Sequence, residues 1–391
     1  MSKKILYLTY FFEPDLGAGA FRNTSLAKEL SNLIQPDDEI ELITTYPNRY
    51  SNLDFEVGKD NVNSNLLIHR IKVLEHGNSF LGQIRSFLSY RKGVRKLTKD
   101  KNYDLVFASS SKLFTAYLAY TIAKSKKTAL YVDLRDLFSE NLKELIPKFR
   151  MGHFFSFVVK NLFEKPALKY ASHLNLNSEG FKEEFQYRSS GHISFYPNGI
   201  DDYFIGHKQN NLLQKTPIII TYAGNIGEGQ GLEKIIPELS QRLGNKYLFS
   251  IIGSGSSLHK FEAELKRFPR SNVKIIAPIP RKDLLDYYKN SHYLFLHLNN
   301  YKSFEKVIPS KVFEYGAFNM PIIAGVAGYP ATFIREEIKD NCFIFDPCNV
   351  DAVHHYLLSN IYYLQDRKEF INKYKRDSIS KKLAQSILQY L

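Results

Sequence analysis

Two α/β domains, each built on a doubly wound parallel sheet, are what this sequence predicts, on three observations. Short β-branched runs bounded by turn residues alternate with stretches at helical spacing along the whole chain. Several runs are apolar on both faces, as at Ile218-Ile-Ile-Thr-Tyr and Tyr293-Leu-Phe-Leu, which a parallel sheet covered by helices demands. The length of 391 residues suits two cores, and a polar stretch with little to bury, 206–217, separates them.

In the first half, strands are expected over 4–9, 39–45, 67–73, 103–109, 128–133, 171–177 and 192–196. The run at 4–9 follows Lys3 and Lys4 but meets Glu13 and Pro14 with no small-residue cleavage site, so it reads as a strand rather than a signal peptide. In the second half they are expected over 217–223, 246–252, 272–277, 292–298, 320–324 and 342–345. Ligands of doubly wound sheets bind beyond the carboxyl ends of strands, so the loops there are where chemistry is sought.

The first such loop runs from Phe12 through Gly17 and Gly19 to Arg22 and leads into a helix. Its glycines admit close approach to a ligand and the helix start favours negative charge, so it reads as a phosphate or sugar loop or as a plain turn. The loop after 128–133 carries Asp133, Arg135 and Asp136. Carboxylates beside an arginine can orient a hydroxyl or act as a base, and can equally form an ion pair that holds the loop.

In the second half, Gly224, Asn225, Gly227, Gly229 and Gly231 crowd a strand-to-helix turn, which reads as a ligand loop because glycine costs backbone entropy wherever its freedom is unused. Gly253 and Gly255 follow the next strand, and Ile279 lies between two prolines after the one beyond. Pro309 and Ser310 then start a helix, with Lys311 and Glu314 in its first turn. Amides and lysine there suit a diphosphate and the glutamate a ribose diol; the plain alternative is a surface pair on an ordinary helix.

Composition excludes several classes. With 29 Phe and 26 Tyr the chain is not disordered, and two cysteines are too few for a disulfide scaffold. No run approaches 18 uninterrupted apolar residues, so no spanning helix is expected. Cys342, Cys348, His292 and His297 read as packed rather than metal-binding, and no Asp-x-Asp pair or zinc spacing appears. The net charge of +13 leaves nucleic acid, an anionic membrane or an anionic small substrate as partners. Two segments concentrate it: 80–103 has seven basic residues against one acidic, and 143–169 has six against two, interleaved with phenylalanines. Such segments suit an anionic membrane surface, or else are core phenylalanines with a solvated lysine face. The absence of Trp, of a basic tail and of an RNA-binding signature argues for no nucleic acid.

Taken in order, Gly17-Ala-Gly19 with Arg22, Asp133-Leu-Arg-Asp136, Tyr196-Pro-Asn198-Gly199-Ile-Asp201, Tyr222-Ala-Gly224-Asn225-Ile-Gly227, Gly253-Ser-Gly255 and Pro309-Ser310-Lys311-Val-Phe-Glu314-Tyr315 resemble glycosyltransferase family 4 over nearly the whole chain. Within it the pattern is most similar to the bacterial polysaccharide enzymes that transfer sugars or N-acetyl amino sugars such as fucosamine. The resemblance implies a GT-B fold, two Rossmann-like doubly wound domains facing a central cleft. It implies an acceptor-side domain over 1–205 completed by a returning helix at 378–391, and a nucleotide-sugar domain over 206–377. It further implies retaining, metal-independent transfer from a nucleotide-diphosphate sugar, UDP favoured, with no cofactor. The acceptor would be a glycan or a polyprenyl-diphosphate-linked sugar in lipopolysaccharide or capsule biosynthesis, in the cytoplasm or peripherally on the inner face of the membrane. By motif position, Glu314 would bind the ribose, Ser310 and Lys311 the diphosphate, Ile279 the base, and Gly17, Gly19 and Arg22 the diphosphate or sugar. Gly224, Asn225, Gly253 and Gly255 would line the donor site, and Asp136 would lie near sugar and acceptor as a catalytic residue with Lys311. The chain departs from the family at Lys306, where a second glutamate is common, at Asn225 and Gln230, where arginine and lysine are common, and in lacking a histidine beside Asp133 and Asp136. A nucleotide-sugar epimerase of similar two-domain fold and a basic nucleic-acid-binding protein are the rival readings.

Overall fold

The computed structural model describes residues 2–47, 64–74, 80–110, 113–136, 156–185, 191–210, 212 and 216–391. By its packing the chain divides into two units, Met1–Gly199 with Arg376–Leu391, and Ile200–Lys375. The segment after Gly199 joins the second unit because the Ile200 amide donates to Tyr374 O and Ile200 bridges to Lys375.

The first unit holds a seven-stranded sheet of β1 (Lys4–Thr9), β2 (Glu39–Thr45), β3 (Leu66–Ile71), β4 (Leu105–Ser110), β5 (Ala129–Leu134), β6 (His173–Leu176) and β7 (His192–Phe195). Every pairing is parallel, in the order β3-β2-β1-β4-β5-β6-β7. The second unit repeats the plan with β8 (Ile218–Asn225), β9 (Tyr247–Ser254), β10 (Val273–Ile276), β11 (Tyr293–His297), β12 (Ile322–Gly325) and β13 (Cys342–Phe345), in the order β10-β9-β8-β11-β12-β13. In each sheet the order reverses once, between β1 and β4 and between β8 and β11, the switch points at which doubly wound sheets bind ligands.

Each expected strand forms, most a residue or two shorter or shifted at an end. The run expected over 171–177 pairs only over His173–Leu176, where the Ser178 hydroxyl then caps a short turn. Central strands are apolar on both faces because both faces are covered: Ile5, Leu6, Tyr7 and Leu8 are buried, as are Leu105, Val106, Phe107 and Ala108. The Ala18–Leu33 helix lays Leu26, Ala27 and Leu30 on the first sheet. The Arg376–Leu388 helix adds Leu383, Ala384 and Ile387 to the same core, each large side chain contributing roughly 1.5–3 kcal/mol.

The basic helix Phe80–Thr98 buries Phe87, Tyr90 and Val94 and turns Arg85, Lys92, Arg95 and Lys96 to solvent, with Leu88 half-exposed among them. Of 143–169, only 156–169 lies among the described residues. There Phe163 packs edge-on against Phe114 and Tyr117, while Phe157 and Leu162 are exposed. No helix among the described residues is long and apolar enough to cross a membrane.

Two buried histidines, one in each unit, give a pH prediction. His173 stacks on Tyr131 at 4.3 Å between centroids, with its ring nitrogens on Tyr390 Oη (3.0 Å) and Ser194 Oγ (2.8 Å). His297 donates from Nδ1 to Gln230 O (2.6 Å) and accepts at Nε2 from the Cys348 amide (2.9 Å), which fixes a neutral ring. Burial, aided by His192 and Lys234 respectively, lowers each from 6.5 to about 4. The unfolded chain therefore binds these protons first, and stability declines as pH falls from 6.5 toward 4, by on the order of 3 kcal/mol for each ring. Urea denaturation at pH 7 and pH 4.5 reads the decline, and His173→Gln makes it shallower; an unchanged pH slope in that variant contradicts the account.

Candidate functional site

In the second unit the turns after β8 and β9 are joined. The Ile226 amide donates to Ser254 O and the Ser257 amide to Ile226 O, both at 2.9 Å. Gly224 and Gly253 sit opposite in register, and a Cβ on Gly253 would lie 1.8 Å from Gly224 O, at a φ of +146° that side chains avoid. A Cβ on Gly255 would press on Ile226 O at 2.4 Å. Packing also accounts for two glycines read from sequence as ligand-facing. Gly229 lies under the Phe304 ring, with 2.8 Å left for a Cβ, and Gly231 turns the chain with φ +55° against Asn299. The backbone economy of this loop thus serves its own packing at those two positions. Asn225 is exposed at the strand end, and its Nδ2 donates to Gln230 Oε1 at 2.9 Å, as does the Gly227 amide at 3.2 Å. Asn225 and Gln230 are thus a neutral pair bonded to each other.

The Ser310–Gly316 helix follows Val307, Ile308 and Pro309 at the edge of this turn. Pro309, not Ser310, is its cap, so Ser310 is the first helical residue. Lys311 and Glu314 share one face and pair at 2.7 Å, Nζ to Oε1. Tyr288, brought by the Arg281–Lys289 helix, completes the group: its hydroxyl donates to the same Oε1 at 2.5 Å and receives Lys311 Nζ at 3.1 Å. Lys311 Nζ also stands over the Tyr288 and Tyr315 rings, 5.8 and 5.9 Å from their centroids, and its Cε lies 3.7 Å from the Cβ position of Gly224. Burial, then Glu314, pushes the Tyr288 hydroxyl well above its usual range, so it remains a donor. Both bonds to Glu314 fall on Oε1, which leaves Oε2 for a ligand hydroxyl. Ile279 is half-buried in the turn after β10, before the Arg281–Lys289 helix, and Arg281 is anchored to Asp201 at 2.7 Å.

In the first unit the strand-end residues gather at the β1/β4 switch point. Asp133, at the end of β5, is fully buried and takes four donors: Arg22 Nε and Nη2 at 3.0 Å each, Asn175 Nδ2 at 2.6 Å and Ser109 Oγ at 3.3 Å. Burial alone would raise its carboxyl, but the charge and hydrogen bonds of Arg22, with Arg135 and Asn175, hold it below the usual range. The partner of Asp133 is therefore Arg22, far away in sequence, and not the neighbouring Arg135.

Arg22, which the resemblance implies at the diphosphate or sugar, has a structural role here. It is buried, and it also donates from Nη1 to Pro197 O (2.6 Å) and from Nη2 to Tyr196 O (2.8 Å), so it positions strand ends. Gly17 caps the Ala18–Leu33 helix without a side-chain bond. Gly19 lies against the Arg135 guanidinium, where a Cβ would stand 2.5 Å from Nη1. Asp136 is half-buried just beyond, close enough to act on Arg135 by its charge. The rest of that loop, 137–155, lies outside the described residues.

The sequence alone did not point to two residues of these groups. Tyr288 and Asn175 are joined to their sites by tertiary packing, with no local signal. Arg135 was legible only as a neighbour of carboxylates. Among the described residues no three of His, Cys, Asp and Glu come together as a metal site.

Residues 205–377 match the family described as Glycosyl transferases group 1. No curated protein matches the sequence. Among solved structures, sucrose-phosphate synthase from Thermosynechococcus elongatus superposes with a TM-score of 0.72 at 12% identity, over 99% of this chain and 98% of that one. HepE from Anabaena in complex with UDP and glucose superposes with a TM-score of 0.66 at 13% identity, over 99% and 100%. WaaG, a glycosyltransferase involved in lipopolysaccharide biosynthesis, gives 0.61 at 13% identity, over 99% and 96%. The chain thus has the GT-B fold, two parallel-sheet Rossmann-like units, and it is the second of them, over residues 205–377, that matches the Glycosyl transferases group 1 family.

Proposed function

We propose that the protein is a retaining glycosyltransferase that moves a hexosyl or N-acetylhexosaminyl group from a UDP-sugar to a glycan or polyprenyl-diphosphate-linked acceptor in cell-surface polysaccharide biosynthesis. The observation that carries this reading is the Lys311, Glu314 and Tyr288 group inside the group 1 domain. A carboxylate with one oxygen held by Tyr288 and Lys311 and the other open can accept from a ribose hydroxyl. An ammonium placed beside it can meet a diphosphate. The structures of HepE with UDP and with UDP-glucose support a nucleotide-sugar donor for this fold.

In the proposed reaction the bond from the anomeric carbon to the diphosphate breaks, and negative charge grows on the leaving diphosphate. Lys311 stabilises that charge without a metal, with the first-turn amides beside Ser310. Gly224 and Gly253 let the ends of β8 and β9 approach each other closely, which sets the turns that line the donor site in this reading. Asn225 and the Ile279 backbone line the nucleotide, and Asp136 is the residue proposed to act near sugar and acceptor. In this reading the basic segments 80–103 and 143–169 serve an anionic membrane or lipid diphosphate, with the enzyme peripheral on the inner face of the membrane.

Glu314→Ala removes the ribose acceptor and weakens UDP binding about 10–100-fold, the scale of one or two hydrogen bonds to a charged group. Calorimetry with UDP measures this, and an unaltered dissociation constant refutes the assignment. Release of UDP from a UDP-sugar without any acceptor would favour an epimerase instead.

A further inference from the structure

The first unit carries a groove of about 460 Å³ between the last turns of the Phe80–Thr98 and Leu113–Lys126 helices. Arg95, Lys99 and Lys126 line it, with the hydroxyls of Thr98, Thr121 and Ser125. Each helix runs back along the sheet before the next strand begins, so the groove lies where β4 and β5 start. That is the end of the sheet opposite the β1/β4 switch point, one six-residue strand or roughly 20 Å away. The groove is therefore separate from Arg22, Asp133 and Asp136.

Its positive charge is not used up by the fold. Glu41 pairs with Lys101 and Asp104 with Lys3, while Asp100 is exposed and lines no part of the groove. Among the described residues no acid pairs with Arg95, Lys99 or Lys126. The two helix ends each present about half a negative charge, and Lys126 answers one of them by donating from Nζ to Lys99 O at 2.8 Å. Arg95 and Lys99 remain in surplus.

The hydroxyls narrow the class of ligand. Thr98 Oγ1 donates to Val94 O at 3.0 Å, Thr121 Oγ1 to Leu118 O at 2.8 Å and Ser125 Oγ to Ile122 O at 2.8 Å. Each has given its one proton to the backbone, so its oxygen is left to accept. A ligand that suits the groove thus brings an anion for the cations and hydroxyls of its own for these oxygens. None of the exposed large apolar side chains lines it, so it suits a polar molecule and not an acyl chain.

We propose that this groove is a second small-molecule site, for a soluble phosphate ester of a polyol such as a sugar phosphate or glycerol phosphate. Arg95 and Lys99 hold the phosphate, and the threonine and serine oxygens receive the hydroxyls. The volume lies within the roughly 300–1,000 Å³ usual for small-molecule sites. The assignment is independent of what the second unit binds.

Calorimetry of the whole protein with glucose 6-phosphate and with glycerol 3-phosphate, set beside inorganic phosphate, tests this. Wild type is expected to bind the esters, and Arg95→Gln combined with Lys99→Gln should weaken them about 10–100-fold, the scale of charge-assisted bonds. Thr121→Val keeps the shape and removes one acceptor, so it should weaken glucose 6-phosphate about 2–10-fold and leave inorganic phosphate unchanged. Lys311→Ala, in the other unit, should leave the esters within about twofold of wild type. Absence of ester binding to wild type, or wild-type affinity in the double variant, overturns the proposal. Loss of binding in Lys311→Ala also overturns it, by giving the ester to the donor group. Vesicles of phosphatidylglycerol in phosphatidylcholine supply the last arm: binding to these that the double variant loses, without binding of either soluble ester, overturns it in favour of a membrane contact.

Discussion

Replacing Lys311 by alanine is expected to lower turnover about 10²–10³-fold at saturating donor, the scale for losing one preorganised donor to a developing negative charge. The lysine is suited to that role because its position is set before any ligand arrives. Nζ is tied to Glu314 Oε1 at 2.7 Å and to the Tyr288 hydroxyl at 3.1 Å, and two aromatic rings lie beneath it. The effect should fall on turnover and not on folding. Its side chain is about a fifth exposed, 21%, and an i,i+3 pair of this kind contributes only about 0.3–0.5 kcal/mol. Steady-state rates with saturating UDP-sugar, set beside urea midpoints for the same variant, separate the two. An unchanged kcat removes Lys311 from the reaction, and a fall in kcat matched by loss of fold assigns it a structural role instead.

What could be read without the fold follows from how local each signal is. The strands were legible because residues such as Ile218 to Tyr222 and Tyr293 to Leu296 are apolar on both faces, a pattern that burial in a parallel sheet imposes within one segment. Lys311 and Glu314 were legible for the same reason, lying three residues apart on one helix. Tyr288 was not, since its bond to Glu314 joins two helices that only packing brings together. The glycine-rich turn after β8 shows how a ligand signal and a packing signal overlap. Gly229 and Gly231 carry the local signature of a ligand loop, yet Phe304 and Asn299 already require them. Likewise Arg135 stands next to Asp133 and Asp136 in sequence, while the arginine that neutralises Asp133 is Arg22 from another helix. Proximity along the chain says little about pairing at strand ends, where side chains from several strands and helices converge.

Arg22→Ala should destabilise the first unit by about 3–5 kcal/mol, because it leaves the buried Asp133 carboxylate without its cation. That is a large part of the 5–15 kcal/mol by which a folded unit is usually stable, so the variant should be marginal. Two carbonyls, Tyr196 O and Pro197 O, lose their donor in the same change, which loosens the chain just after β7. The chain has no tryptophan, so far-UV circular dichroism is the convenient probe, and UDP, the proposed donor nucleotide, should mark the second unit by stabilising it. The transition that UDP does not raise is the one Arg22→Ala should lower. Acid supplies the decisive sign. In the wild type Asp133 titrates below its unfolded value of 3.8, so its contribution is present above that pH and is lost as pH falls below it. Without Arg22, burial dominates and lifts the carboxyl above the unfolded value, so protonation relieves the buried charge. The stability gap between variant and wild type should therefore narrow on acidification. A gap that stays constant from pH 7 to pH 4 would mean that Arg22 acts through packing alone and that the carboxylate finds its compensation elsewhere.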